Sequence, residues 1–185
     1  MSAEGFAEAL NRTLRHEGLY SADPRDPGGE TFRGIARRRH PEWPGWRRVD
    51  AVRWRPGWQA ELEADGELSR LVAAFYRAQF WLPLRADELE AGAGWAVAAK
   101  LFDAAVNIGQ RRAVEVYQGA LVALGAAGLE VDGRIGPATL AAAGEFGAGV
   151  LPALRAGLAG YYVGLVAGAP SLAYYARGWR RRALA

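Results

Sequence analysis

Along residues 2–16, Phe6, Leu10 and Leu14 recur at every fourth position with Ala3 and Ala7 beside them, while Glu8, Arg12 and Arg15 fall elsewhere. That period predicts an amphipathic helix, stopped by Gly18. From Leu19 to Ile35 the period is lost and turn-forming pairs take over: Asp23-Pro24, Asp26-Pro27 and Gly28-Gly29. Short strands near Leu19-Tyr20 and Thr31-Arg33 are expected to pair as a small hairpin across those turns. Helical spacing returns over residues 67–80, with Leu68, Leu71, Val72, Phe75, Tyr76 and Gln79 on one face, and Leu82-Pro83-Leu84 breaks it.

The second half is helical throughout. Residues 95–108 are apolar nearly all round, which predicts a central buried helix. A further helix is expected over 111–124, with Val114, Tyr117, Gln118 and Leu121. In Val131–Leu140, Asp132-Gly133 supplies a tight turn and Pro137 suits the first turn of a new helix. Leu151 to Gly164 is a Gly/Ala-rich helix. The apolar run from Ala156 to Pro170 is too short to span a bilayer and reads as a close-packed core helix.

At 185 residues the chain fits one domain or two small lobes sharing a core. A chain of this size buries roughly 70% of its unfolded surface, so it needs no metal or disulfide to stay folded. Zero cysteines excludes disulfides, thiolate catalysis and cysteine-ligated zinc, and with His16 and His40 the only histidines no metal site is expected. The net charge of +3 suits a polyanionic partner, but is too mild to separate cell wall from nucleic acid. No nucleic-acid module accompanies it, so no nucleic-acid partner is expected. Glu4, Glu8, Arg12 and Arg15 interrupt the first fifteen residues, so no secretion signal is visible.

Candidate chemistry begins at Glu17. The predicted helix places it in the last turn, where the helix dipole disfavours a carboxylate, and departures from local preference concentrate at functional sites. Asp26 follows nine positions later and Thr31 five after that. Singly, Glu17 reads as a surface glutamate, Asp26 as a turn former and Thr31 as a strand residue. Together, a helix-end glutamate and a hairpin carrying Asp and Thr can face one cleft.

Four of the seven tryptophans, Trp43, Trp46, Trp54 and Trp58, crowd residues 37–58 among prolines that forbid a long helix. They close a small core under an irregular loop or floor a groove for sugar rings, with Trp46 placed in the groove. Asp103 and Asn107, one turn apart on the buried helix, need polar partners and suggest a network at the cleft. The basic end, Arg177 to Arg182, reads as solvated.

The run His16-Glu17-Gly18, Tyr20, Asp26-Pro27-Gly28-Gly29, Thr31 and Gly34-Ile35 resembles the N-terminal signature of glycoside hydrolase family 108, the lysozyme-like muramidases of phages and bacteria. Tyr76-Arg77 and Phe80-Trp81, then Phe102, Asp103, Asn107 and Gly109, and the closing Gly178-Trp179 resemble later segments of that family. Val131–Leu140 resembles the predicted peptidoglycan-binding half usually attached to it. Leu19, Arg33 and Ala36 depart from the family's usual Gly, aromatic and hydroxyl. The Glu, Asp, Thr order also resembles phage-type lysozymes, with the Asp-to-Thr gap one residue shorter.

The resemblance implies a mostly α, lysozyme-like fold with a small β-hairpin beside the active-site cleft. Residues 1–92 would form the catalytic region and residues 93–185 the helical peptidoglycan-binding region, packed as one globule. It implies a muramidase cleaving the β-1,4 bond between N-acetylmuramic acid and N-acetylglucosamine, for cell lysis or wall remodelling. Glu17 would be general acid, with Asp26 and Thr31 steering water and Tyr20, Asp103, Asn107 and Trp46 binding substrate. No cofactor is implied. The expected partner is peptidoglycan, met by a monomer without stable membrane insertion. Made in the cytoplasm, it would act in the periplasm or wall, helped across by a holin or another export partner. A lytic transglycosylase and a non-catalytic wall-binding or secretion-accessory protein are the alternatives.

Overall fold

The computed structural model describes residues 3–15, 17–22 and 29–185. Its elements are α1 (Ala3–Leu14), β1 (Tyr20–Ser21), β2 (Thr31–Phe32), β3 (Ile35–Ala36), α2 (Gly45–Val52), α3 (Trp58–Ala64) and α4 (Gly66–Tyr76). A π turn (Arg77–Trp81) continues α4. It is followed by α5 (Ala86–Ala93), α6 (Trp95–Ile108), α7 (Gln110–Ala123), α8 (Pro137–Phe146), α9 (Leu151–Gly168) and α10 (Ala173–Leu184). The three strands form one antiparallel sheet in the order β1-β2-β3. This is the mostly α, lysozyme-like fold, with a small sheet.

The chain divides into two compact units, Phe6–Gln79 and Phe80–Ala185 with the start of α1. In the first, Phe6, Leu10, Phe32, Ile35, Trp43, Trp46, Val49, Leu68, Val72 and Tyr76 are all buried. Asp65 caps α4, its side chain accepting from the amides of Glu67 and Leu68 at 2.9 Å each. The span 37–58, expected as an irregular tryptophan loop, contains α2 and ends at the first residue of α3. Helix formation survives there because Pro41, Pro44 and Pro56 lie outside both helices, and Gly45 lets the Trp43 ring fold over the start of α2.

In the second unit α6 is the central element, with Val97, Ala98, Leu101, Phe102, Ala104 and Ala105 buried around it. α5, α7 and α9 pack on it. Gly157 brings α9 close to α7, since a methyl at that position would meet Val116 Cγ1 at 2.9 Å. The core-helix reading of α9 holds for one stripe only, Leu154, Leu158 and Tyr162. The span Pro137–Gly168 is long and apolar enough to cross a membrane by length and composition alone, and 22% of its most apolar window is buried. Gly147, at φ +54°, breaks that span into α8 and α9.

The Asp132-Gly133 turn is clamped from α7. Gln118, 1% exposed, donates through Nε2 to Asp132 Oδ1 at 2.8 Å, the Arg134 carbonyl at 3.0 Å and Thr139 Oγ1 at 3.1 Å. Its Oε1 accepts from the Gly133 amide at 2.8 Å. The amphipathic pattern counted Gln118 as one more helix residue, but the structure makes it the internal partner of a whole turn.

Gln118→Leu keeps the volume but strands the Gly133 amide and removes the donor that Asp132 and Thr139 share. It should lower stability by about 1–3 kcal/mol in urea denaturation. Acid should act on this turn and on the other unit alike. Hydrogen bonds hold three carboxyls below the usual range: Asp50 from Arg37, Asp65 from Arg48, and Asp132 from Gln118. A depressed folded value stabilises the fold above the unfolded value, near ~3.9, and that stability is lost as pH falls through the folded value. Thermal melts should therefore fall progressively below about pH 4.

Candidate active site

α1 ends at Leu14, the last apolar residue of its buried stripe, so Glu17 stands beyond the helix rather than in its last turn. Its amide donates to the Leu14 carbonyl at 3.2 Å. The Glu17 side chain is half-buried against the β2–β3 turn. That turn is Arg33-Gly34, with φ +47° and +80°, a left-handed pair suited to a two-residue hairpin. A methyl on Gly34 would collide with the Tyr76 hydroxyl oxygen and stand 3.1 Å from Glu17 Oε2. Two oxygens from distant parts of the chain therefore converge on one bare Cα. The Tyr76 hydroxyl donates to the Arg33 carbonyl at 2.8 Å, tying α4 to the turn.

Strand alternation separates the other predicted residues of the hairpin. Tyr20 pairs with Phe32, and Phe32 with Ile35, both buried, whereas Thr31 pairs with Ser21 and Ala36. Tyr20 and Thr31 therefore point to opposite faces of the sheet. Thr31 Oγ1 donates to the Gly29 carbonyl at 3.3 Å. Asp26 lies outside the described residues, as does His16.

The Tyr20 face carries a charged ring. The Tyr20 hydroxyl donates to Glu30 Oε1 at 2.9 Å, which also receives Arg53 at 2.7 Å. Glu30 Oε2 pairs with Arg37 Nε at 2.6 Å. Arg37 also grips Asp50 at 2.6 and 3.1 Å, and Arg53 closes the ring on Asp50 at 3.2 Å. Burial, then Glu30, push the Tyr20 phenol up. Neither Glu30 nor this ring is visible as a local pattern. The one signal is that Glu30 lies two positions before the apolar Phe32, on the same face, where a carboxylate needs partners.

Trp46 is 3% exposed. Its indole donates to the His40 carbonyl at 2.8 Å, the Arg37 guanidinium lies 4.2 Å from its ring centroid, and Trp43 meets it edge-on at 5.2 Å. A sugar has no open face of Trp46 to stack on. Asp103 and Asn107 lie in the other unit and are engaged by its own chain. Asp103 is held by Arg182 at 2.9 Å, and the Tyr162 hydroxyl donates to Asn107 Oδ1 at 2.6 Å. Arg182 is thus not a solvated end: its side chain is 11% exposed, and its carbonyl accepts from Lys100, whose ammonium burial pushes down. Among the described residues no cluster of His, Asp and Glu is arranged to hold a metal ion.

The family model for Glycosyl hydrolase 108 matches residues 10–109, and that for a Predicted Peptidoglycan domain matches residues 105–184. No curated protein matches the sequence. Among solved structures, SagA of Brucella abortus is similar, with a TM-score of 0.64 and 25% identity over 98% of this chain and 91% of SagA.

The convergence at Gly34 has a direct test. Gly34→Ala adds a methyl at positive φ against the Tyr76 hydroxyl and should lower stability by about 1–3 kcal/mol. In a Tyr76→Phe background the same substitution should cost less, because the nearest atom is gone. A double-mutant cycle in urea reads that coupling.

Proposed function

The chain belongs to the glycosyl hydrolase 108 family, and on that premise we propose that it is an N-acetylmuramidase cleaving the β-1,4 bond between N-acetylmuramic acid and N-acetylglucosamine, with Glu17 as general acid. The observation that carries this reading is the seat of Glu17. It is half-buried at the hairpin turn, with its carboxylate against Gly34. Glu30 and Asp50 in the same unit are engaged by arginines, and Asp65 by Arg48 and the start of α4. Those three carboxylates support the hairpin and the helices, while Glu17 is set against Gly34 in the turn between β2 and β3.

In this mechanism the Glu17 carboxylic acid donates its proton to the glycosidic oxygen as the bond to the anomeric carbon breaks. Asp26 takes a proton from the attacking water. Thr31, its hydroxyl hydrogen directed to the Gly29 carbonyl, accepts from that water's other hydrogen. The catalytic region is residues 1–92, and residues 93–185 hold the wall, in keeping with the predicted peptidoglycan domain matched there. The product of the reaction is a reducing muropeptide. The setting is the periplasm or cell wall, reached through a holin or another export partner, in lysis or remodelling.

Wild type and Glu17→Gln, incubated with purified peptidoglycan and read by mass spectrometry, test the assignment. The wild type should release reducing muropeptides, and Glu17→Gln should lower the rate by about 10²–10⁴-fold. Anhydro products would make the protein a lytic transglycosylase. Binding without products from either chain would make it an attachment protein.

A further inference from the structure

Of the seven tryptophans, only Trp54 is exposed, at 67%. It also has the least comfortable backbone of the seven, a left-handed φ of +73° that bulky side chains rarely adopt. Strain of this kind persists only where the surroundings hold it, and it collects at ligand-binding positions. Burial does not explain it here, because most of the indole stays in water. Two neighbours fix the ring instead. Trp58 packs on it at 5.6 Å between centroids and 60° between planes, and Tyr20 meets it edge-on at 5.9 Å and 88°. Trp58 in turn meets Tyr20 edge-on at 4.9 Å. Tyr20 is itself anchored through its hydroxyl to Glu30. The indole is therefore held from its flank by a rigid aromatic cluster while its surface remains open.

We propose that Trp54 is the stacking platform of a saccharide subsite flanking Glu17, taking one sugar ring of the glycan strand against its open face. The proposal rests on the glycan-hydrolase reading above. The position fits, because Tyr20, on which Trp54 packs, is three residues along the chain from Glu17. Their Cα atoms can be no more than about 11 Å apart. The surroundings favour a sugar over a membrane or a protein. The exposed neighbours of Trp54 are Arg55, Pro56, Gly57 and Gln59 rather than further large apolar side chains. One indole in a polar rim matches a single ring with an apolar C–H face and hydroxyl edges.

Trp54→Gly separates this role from a structural one, because glycine adopts φ +73° without strain and the variant should fold at least as well. Binding of N-acetylglucosamine hexasaccharide is measured by calorimetry on wild type, Trp54→Gly and Trp54→Tyr. KM and kcat on soluble peptidoglycan fragments are measured alongside melting temperature. Trp54→Gly should weaken hexasaccharide binding about tenfold and raise KM comparably, with a smaller effect on kcat and no loss of melting temperature. Trp54→Tyr should recover part of the affinity, since it restores a ring.

Cleavage by wild type with KM and affinity unchanged in Trp54→Gly would overturn the subsite and leave the hydrolase reading standing. Hexasaccharide binding that depends on Trp54 without any cleavage would do the reverse. A wild type that neither binds nor cleaves would overturn both.

Discussion

Strands of two residues carry too few ladder hydrogen bonds to hold a sheet, so the hairpin beside Glu17 depends on side chains reaching it from elsewhere. Two anchors hold it. From α4, the Tyr76 hydroxyl binds the Arg33 carbonyl in the β2–β3 turn. From α2 and the residue that ends it, Asp50 and Arg53 join Arg37 and Tyr20 around Glu30, the residue that leads into β2. Below the sheet, Phe32 and Ile35 are buried at 2% and 0% exposure. Glu17 inherits its position from this frame, since its carboxylate lies against the same Gly34 that Tyr76 approaches. A change that loosened either anchor would move the turn and with it the surroundings of the acid.

The ring around Glu30 also shows why a charged cluster belongs in a small unit. Two carboxylates and two guanidiniums, each partly shielded, gain little net stability together, because desolvation offsets most of their attraction. Removing one member costs more than the pair is worth, since its partners are left shielded and unmatched. Such a ring acts mainly on register. Slipping β2 by one residue would turn Glu30 away from both arginines and Phe32 out of the core. The ring and the apolar face therefore select the same pairing of the strands.

In the other unit, polar residues on an otherwise apolar helix do comparable work. Asp103 and Asn107 stand one turn apart on α6. They receive Arg182 from α10 and Tyr162 from α9, while Lys100 donates to the Arg182 carbonyl. Trp179 stacks between Tyr162 and Tyr175 at 5.3 and 5.6 Å, extending the same seam along α10. The last two helices, which bury few side chains of their own, are thereby fastened to the centre of their unit. Gln118 does the same for the turn ahead of α8. Asp103, Asn107, Lys100 and Gln118 are thus paired inside this helical region, while Arg177, Arg180 and Arg181 stay on the outside.

The sequence by itself determined what depends on neighbours a few residues apart. Helical periodicity located α1, α4, α6 and α7 to within a few residues, turn chemistry marked Gly18 and Asp132-Gly133, and Pro137 marked the start of α8. The family's motif singled out Glu17, Thr31 and Gly34. What it left open depends on side chains far apart in the chain. Periodicity carries no record of which arginine will meet Glu30, so the ring, and the third strand it steadies, came only with the fold. The tryptophan cluster reads alike at all four positions. Packing alone buries Trp46 beneath Arg37 and leaves Trp54 in water, because an indole's burial is decided by which helices close over it. Asp103 and Asn107 were legible as polar groups needing partners. That those partners are Arg182 and Tyr162 was decided by the path of the last two helices, since a buried charge takes whichever opposite charge the tertiary fold delivers to it.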